Sequence, residues 1–243
     1  MIVFRILGIM ILVLAGMLLL WFLILLLCGL FVDPKREYKE NSRFYRFLLH
    51  SSTALALWLV RVKIRASGLE KLPAGKRILF VGNHRSNYDP IVTWHVLRKW
   101  QPAFVSKKSN FKIPAFGRII RKCCFLPIER GNPRSSLKTI EFAAELLRGG
   151  EVSIGIYPEG TRSKSGILLP FHNGVFKIAQ KANAAIAVVA IDGTEEIHRR
   201  TPFRPTVVRL CVADVISAEE VHMLKTSEIG ERVRTALEET LDH

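Results

Sequence analysis

Residues 77–90 read Arg-Ile-Leu-Phe-Val-Gly-Asn-His-Arg-Ser-Asn-Tyr-Asp-Pro, an apolar run that continues directly into a polar one. The apolar part, residues 77–81, has the β-branched and aromatic content typical of a buried strand. The polar part is rich in Asn and Ser, which favour loops, and Pro90 directly after Asp89 is typical of a helix start. This stretch therefore predicts a strand, a polar loop and a helix in succession.

Further apolar segments rich in Val, Ile and Phe alternate with helical patterns along the rest of the chain. Strands are predicted at residues 103–106, 124–128, 152–157, 186–191 and 207–212. Helices are predicted at residues 90–98, 136–148, 175–181 and 227–240, and a capping box at residues 217–220 opens another. This alternation predicts an α/β fold, a mostly parallel or mixed sheet flanked by helices, which we place at residues 67–243.

The segment Ile6–Val32 contains 27 residues and no charge. As a helix it would be about 40 Å long, more than the ~30 Å of a bilayer's hydrocarbon core. A secretory signal peptide is the alternative, but its apolar region is shorter, about 7–15 residues. We therefore predict a transmembrane anchor at residues 1–33.

Basic residues are unevenly placed around this anchor. One precedes it and five follow it closely: Arg5, then Lys35, Arg36, Lys39, Arg43 and Arg46. By the positive-inside rule, we expect the rest of the chain on the cytoplasmic side of the membrane, of the bacterial inner-membrane type.

A second apolar stretch, Phe47–Val60, has 14 residues and would reach only about 21 Å as a helix, too short to cross a bilayer. Arg46 and Arg61 flank it, and His50 lies within it. We predict an interfacial helix in a basic, amphipathic segment at residues 34–66; a core helix of the following domain is the alternative.

The net charge is +15 in a chain that is 49% hydrophobic, which excludes a disordered polycation because so much apolar material can build a core. The four cysteines form no C-x-x-C pair, so a disulfide scaffold and a zinc ribbon are not expected. Residues 98–138 contain eleven Lys or Arg and one acid, Glu129. Such a surface suits nucleic acid or an anionic membrane, and the charge alone leaves both open.

His84 and Asp89 lie five positions apart in the polar loop that follows the first predicted strand. A loop conformation would let the carboxylate hold one imidazole nitrogen, so that the other could take a proton from a hydroxyl group. The alternative is that Asp89 only caps a helix and His84 is an ordinary loop histidine.

A second polar turn, Tyr157-Pro158-Glu159-Gly160-Thr161-Arg162-Ser163, also follows a predicted strand. Its Pro-Glu-Gly sequence is ordinary turn chemistry, and that is one interpretation. The other is a phosphate seat made by the Arg162 guanidinium and the backbone N–H groups of Gly160 and Thr161.

Together these segments resemble the PlsC-like glycerolipid acyltransferases, in particular the 1-acyl-sn-glycerol-3-phosphate (lysophosphatidic acid) acyltransferases. Residues 83–89 match the family block N-H-x-S-x-x-D, residues 107–130 resemble the second block, and residues 157–163 match the third, with Tyr157 for the more usual Phe. Phe171-His172-Asn173-Gly174 resembles the segment after it. Val188 stands at the usual proline of the fourth block, and Glu129 at a position where Asp is frequent.

The resemblance implies that His84, oriented by Asp89, removes the proton of the sn-2 hydroxyl of lysophosphatidic acid. The oxygen then attacks the thioester of acyl-CoA or acyl-carrier protein and gives phosphatidic acid without an acyl-enzyme. It further implies a set of glycerol-phosphate-binding residues: Lys107, Arg130, Glu159, Gly160, Thr161 and Arg162. The motif is supported by Asn83, Ser86, Pro158 and Ser163.

No metal or cofactor is implied beyond the acyl-CoA or acyl-carrier protein co-substrate. Anionic membrane lipids are the expected partner and nucleic acid is not, while the oligomeric state stays open. Relatives with the same blocks acylate other lysolipids, such as lyso-ornithine lipid, so another acceptor is an alternative. A membrane-anchored nucleic-acid-binding protein and a membrane scaffold are more distant ones, and neither needs His84 and Asp89.

Overall fold

The structure is a computed structural model and describes residues 1–129 and 131–242. Within these residues the strands are β1 (Val62–Ser67), β2 (Leu79–Gly82), β3 (Pro102–Lys107), β4 (Leu126–Ile128), β5 (Ser153–Ile156), β6 (Ile186–Asp192) and β7 (Thr206–Ile216). The α-helices are α1 (Ile2–Leu30), α2 (Arg43–Leu59), α3 (Asp89–Val96), α4 (Phe116–Lys122), α5 (Pro133–Arg148), α6 (Lys177–Ala182), α7 (Ile197–Arg200), α8 (Ala218–Met223) and α9 (Thr226–Leu241).

The strands form one sheet in the order β1-β7-β6-β2-β5-β3-β4. Every neighbouring pair is parallel except β6 and β7, so the predicted mixed α/β sheet is confirmed. We call the edge at which β2, β3, β5 and β6 end the carboxyl edge. Because β7 runs against β6 and β1 runs with β7, these two strands begin at the carboxyl edge.

Apolar side chains on both faces of the sheet are buried under helices. One cluster includes Ile154 and Ile186 of the sheet with Leu147 of α5 and Val233 of α9. A second cluster is built on the alternate strand residues, whose side chains point to the other face of the sheet. It includes Phe80 of β2 and Leu57 of α2. Burial on both faces explains why the central strands are continuous apolar runs rather than alternating ones.

Strand β1 corrects the predicted domain boundary. We expected the α/β domain to begin at residue 67, but Val62–Ser67 pairs with β7 along its whole length. The exposed Lys63 and Arg65 alternate with the partly buried Val62 and Ile64, so only one face of this strand is covered. This short alternation, placed after a helical stretch, hid the strand in the sequence.

Helix α2 is less interfacial than predicted. Leu49 and Leu57 are buried in the domain, and the buried Arg46 donates to the carbonyl of Pro102 at 3.1 Å. The opposite face leaves Phe47 and Trp58 exposed. One face of α2 therefore belongs to the domain core, as the alternative interpretation held, while the other remains available to an interface.

Helix α1 is the one helix in the described part of the chain that is long and apolar enough to cross a membrane. Its first half is exposed, whereas its final turns contact the domain. The indole N–H of Trp21 donates to the Ser52 hydroxyl at 3.1 Å, and the Tyr45 hydroxyl donates to the Cys28 carbonyl at 3.0 Å. From the first contact to the second, the residue number rises along α1 and falls along α2, so the two helices are roughly antiparallel.

Candidate active site

His84 and Asp89 meet at the carboxyl edge, as the loop interpretation requires. The imidazole Nδ1 of His84 lies 2.8 Å from Oδ2 of Asp89, the first residue of α3. The same oxygen accepts from the backbone N–H groups of Arg85 and Ser86, each at 2.7 Å. The other oxygen accepts from the hydroxyl of Thr194. All these partners can donate, which suits an ionised carboxylate.

This contact determines which nitrogen of His84 can act as a base. With Nδ1–H donated to Asp89, the neutral imidazole presents an unprotonated Nε2. The His84 side chain is 14% exposed, so the ring is sheltered but reachable. The ring of Tyr157 stacks on it with centroids 4.4 Å apart and planes at 14°, which limits its rotation.

Asn83 and Ser86 stabilise the backbone around this pair. The Asn83 amide donates to the carbonyl of Ile191 and accepts from the N–H of the same residue, both at 2.8 Å. This fixes the end of β2 to the neighbouring strand β6. The Ser86 hydroxyl accepts from the N–H of Tyr88 at 3.2 Å within the loop.

Glu159, predicted to bind the acceptor, has hydrogen bonds to the protein backbone on both carboxylate oxygens. Its Oε1 accepts from the backbone N–H of His84 at 2.7 Å and its Oε2 from that of Leu169 at 3.0 Å. The residue is 3% exposed, and burial raises the pKa of its carboxyl group. Both oxygens are thus occupied by backbone donors, and a carboxylate would in any case repel a phosphate. These bonds attach the His84 loop to the segment that contains Leu169.

Glu159 and Ser163, which precede and follow Gly160-Thr161-Arg162, both bond to the His84 backbone and place this turn beside it. The N–H of Ser163 donates to the carbonyl of His84 at 2.8 Å, so the turn holds the His84 backbone on both sides. The N–H of Gly160 is used within the turn, donating to Tyr157 at 3.0 Å, and is not the free phosphate donor that we expected. Thr161 and Arg162 are exposed. The carbonyl of the buried Pro158 accepts from the N–H of His172 at 2.9 Å.

Lys107 also lies at the carboxyl edge, as the exposed last residue of β3. Strand β3 is two positions from β2 in the sheet, a lateral distance of roughly 10 Å. The structure therefore brings the backbone of Arg162 close to His84 and leaves Lys107 further away along the same edge. The predicted contribution of Arg130 lies outside the described residues.

Two residues at this edge were not predicted from the sequence as part of the site. Thr194 follows β6 and is fully buried against Asp89. Arg85 donates to Asp192 at 2.9 Å and to the carbonyl of Gly166 at 3.0 Å, joining the His84 loop to the segment after Arg162. A polar residue just after a predicted strand was the signal available for Thr194.

Among the described residues, no group of three or more His, Cys, Asp or Glu could hold a metal ion. The site is instead a set of polar turns on adjacent parallel strands. Residues 63–192 match the sequence profile of the family described as Acyltransferase. The chain belongs to the Acyltransferase family.

Relatives of this chain are found in plants, algae and bacteria. It is 28% identical to a chloroplastic 1-acyl-sn-glycerol-3-phosphate acyltransferase of Arabidopsis thaliana, over 98% of this chain and 65% of that protein. It is 32% identical to one from Chlamydomonas reinhardtii, over 72% of this chain and 53% of the relative. It is 33% identical to one from Salmonella typhimurium, over 48% and 47%. The chain thus spans between about half and two thirds of these relatives.

The fold of the chain is shared with a solved structure. The crystal structure of the 1-acyl-sn-glycerophosphate (LPA) acyltransferase PlsC from Thermotoga maritima superposes with a TM-score of 0.65 and 24% identity, covering 80% of this chain and 79% of that one. The predicted family membership and fold class are both confirmed.

Proposed function

We propose that this acyltransferase moves an acyl chain from a thioester donor, acyl-CoA or acyl-carrier protein, to the sn-2 hydroxyl of 1-acyl-sn-glycerol-3-phosphate, giving phosphatidic acid. The observation that carries the proposal is the 2.8 Å contact of His84 Nδ1 with Asp89, which leaves Nε2 as a base at the carboxyl edge. The names of the relatives support the choice of acceptor.

The chemical step balances with these two side chains. Nε2 of His84 takes the hydroxyl proton while the oxygen forms a bond to the thioester carbonyl carbon. The carbon–sulfur bond then breaks, and the leaving thiolate takes the proton back from the imidazolium. Asp89 stabilises the transient positive charge on His84 and keeps its tautomer.

The two buried cysteines, Cys123 and Cys124, are poor nucleophiles for an acyl-enzyme. Burial raises the pKa of Cys123 to about 12 and that of Cys124 to about 11, so both remain thiols at neutral pH. A thioester is already activated, and a hydroxyl with a general base can attack it directly.

For the acceptor's phosphate, we assign Arg162 as the main partner and Lys107 as a secondary one. Arg162 is exposed beside His84, between two residues that contact the His84 backbone. A guanidinium can bind a phosphate through two parallel hydrogen bonds, whereas Lys107 offers a point charge. The backbone N–H of Thr161 completes this proposed phosphate site.

The lipid substrate also requires a place at the membrane. Helix α1 serves as the anchor in this proposal, and the basic residues that follow it favour a cytoplasmic domain. The acceptor can then reach His84 from the bilayer, while the water-soluble donor arrives from the cytoplasm.

The proposal is tested with the purified full chain, offered lysophosphatidic acid, lysophosphatidylcholine or lyso-ornithine lipid with acyl-CoA and with acyl-carrier protein. We expect phosphatidic acid from the first acceptor, and a loss of roughly 10²–10⁴-fold in kcat for His84→Ala. The control is His222→Ala, an exposed histidine on α8. Absence of lysophosphatidate acylation, or full activity of His84→Ala, would refute the proposal.

A further inference from the structure

A second basic surface lies at the carboxyl edge, away from the basic segment at residues 98–138. Residues 60–67 and 197–212 contain no Asp or Glu. They contribute seven basic residues: Arg61, Lys63, Arg65, Arg199, Arg200, Arg204 and Arg209. Because β1 and β7 are adjacent strands, these two segments meet in the fold. The fold therefore gathers these basic residues on one surface although they are far apart in sequence.

Two large aromatic residues are exposed within this basic surface. Phe203 is 86% exposed and Trp58 is 67% exposed. Arg61 joins their backbones: its guanidinium donates to the Phe203 carbonyl at 2.9 Å, and its N–H donates to the Trp58 carbonyl at 3.0 Å. We call Trp58, Arg61, Arg200, Phe203 and Arg204 the edge patch. The hydrogen bonds of Arg61 therefore hold the backbone of both Trp58 and Phe203 in place.

The edge patch lies on the same side of the molecule as His84. Phe203 comes just before Thr206, where β7 begins, and Arg61 just before Val62, where β1 begins. Both strands begin at the edge at which β2 ends and leads into His84. In the sheet order β7 is two positions from β2, a lateral separation of roughly 10 Å.

Helix α1 leaves the domain at this same edge. Because α1 and α2 are roughly antiparallel, the N-terminal half of α1 extends beyond the end of α2 at Leu59. From Trp21 back to Ile2 the helix rises about 28 Å, whereas α2 rises only about 10 Å from Ser52 to Leu59. About 18 Å of exposed apolar helix therefore projects past the edge patch.

This length determines where a bilayer surface would lie. A hydrocarbon core of ~30 Å needs about 20 helical residues, so a spanning α1 is submerged at least as far as Trp21. At that depth the bilayer surface would lie level with Ser52, about 10 Å short of the end of α2, and Trp58 would be submerged in hydrocarbon. If α1 enters only one leaflet, about 18 Å of projecting helix is enough to submerge it while the edge patch stays at the surface.

We propose that the edge patch docks on the headgroup layer of an anionic lipid bilayer, with Trp58 and Phe203 at the interface and Arg200 and Arg204 on lipid phosphates. Exposed aromatic rings settle at the membrane interface, and arginines bind phosphate groups there. The edge patch contains no acid; Glu196 lies 3.8 Å from the Arg200 guanidinium, and with Arg61 and Arg204 the patch keeps a net positive charge that complements an anionic surface. Docking would hold the carboxyl edge, and His84 with it, against the layer that contains lipid acceptors.

The test uses the full chain reconstituted in phosphatidylcholine vesicles with or without phosphatidylglycerol. An environment-sensitive fluorophore is attached to Phe203→Cys in a Cys28→Ser, Cys211→Ser background, and its quenching by doxyl-labelled lipids is measured. The matched control is Met223→Cys, a position that is 76% exposed. It ends α8, which follows β7 and so lies toward the opposite edge of the sheet.

We expect quenching at position 203 and none at position 223 in the anionic vesicles. Replacing Arg200 and Arg204 by Gln should lower the docked-to-undocked ratio by roughly fivefold for each arginine removed. Variants are compared only when their near-ultraviolet circular dichroism matches that of the parent chain. The readout does not depend on acyl transfer, so loss of docking and loss of the proposed activity are separate results.

Three results would overturn the docking proposal. The label at position 203 could stay unquenched in anionic vesicles, or both positions could be quenched equally. The label could instead respond to an RNA oligonucleotide and not to the vesicles, which would make the edge patch a nucleic-acid site.

Discussion

The carboxylate of Glu159 accepts a hydrogen bond from the backbone N–H of His84 at 2.7 Å. The two residues are 75 positions apart, and each follows a strand of the parallel pair β2 and β5. Since the second carboxylate oxygen is bonded to Leu169, the Glu159 side chain ties the His84 loop to the segment after Arg162. An acid inside a motif expected to bind phosphate therefore acts on the backbone of the proposed base.

Replacing Glu159 by Gln tests this assignment. The amide keeps one acceptor oxygen but places an NH₂ group against a backbone donor, leaving a buried N–H without its acceptor. We expect a loss of about 1–3 kcal/mol in the free energy of unfolding and a fall in kcat at nearly constant acceptor KM. Denaturant titration and steady-state kinetics measure both. A selective rise in acceptor KM with unchanged stability would instead indicate a phosphate contact.

Thr194 offers a second test, of how the proposed catalytic pair His84 and Asp89 is held in place. Thr194→Val preserves the shape of the side chain and removes the hydroxyl that donates to Asp89, both residues being fully buried. We expect kcat to fall roughly 10- to 100-fold, because a buried charged acceptor loses one donor. Thr194→Ser should recover most of the activity. Equal rates for the Val and Ser variants would show that the hydroxyl does not position Asp89.

Arg162 and Lys164 provide a matched pair for the phosphate site, since both are exposed in the same turn. Arg162→Ala should raise the KM for lysophosphatidate roughly 10- to 100-fold, because the variant loses a charge-assisted hydrogen bond to the phosphate. Lys164→Ala should change it little. An acceptor without a phosphate should show no difference between the two variants, and a similar KM rise for it would argue against phosphate recognition by Arg162.

The pH dependence of the domain's stability should reflect the protonation of His50. This residue is half-buried on α2, and its ring stacks on that of Trp94 with centroids 4.3 Å apart. Burial, followed by the nearby Arg46, His95 and Arg98, lowers the pKa of His50 to about 4. The unfolded chain, with a pKa of about 6.5, binds the extra proton first. The contribution of neutral His50 to the free energy of unfolding is therefore fully present above pH 6.5 and is lost as the pH falls toward 4.

His50→Phe keeps the stacked ring and removes the titration. We expect its free energy of unfolding to vary less between pH 4 and 6.5 than that of the parent chain, in denaturant titrations at several pH values. His222→Phe, at an exposed position, is the control and should leave the pH dependence unchanged. Parallel curves for the parent chain and His50→Phe would contradict the assignment.

Features that depend on neighbours in sequence were predictable. The apolar runs of the central strands, the charge-free α1 and the polar loops at strand ends follow from composition and spacing over a few residues. The loop that brings Asp89 to His84 was credible because both ends of the contact lie within six residues. The edge strand β1, with one buried face and basic residues on the other, was the element that such local patterns did not reveal.

What the sequence by itself determined is the chemistry offered at the carboxyl edge: a histidine, a carboxylate and an arginine on loops after apolar strands, behind a helix suited to a membrane. Only the tertiary structure decided how these groups are used. The order of the strands places β6 and β5 on either side of β2, so Thr194 reaches Asp89 across 105 positions and Glu159 reaches the His84 backbone across 75. Hydrogen-bond partners of buried polar groups are selected by which strands become neighbours, and that choice results from packing the whole chain.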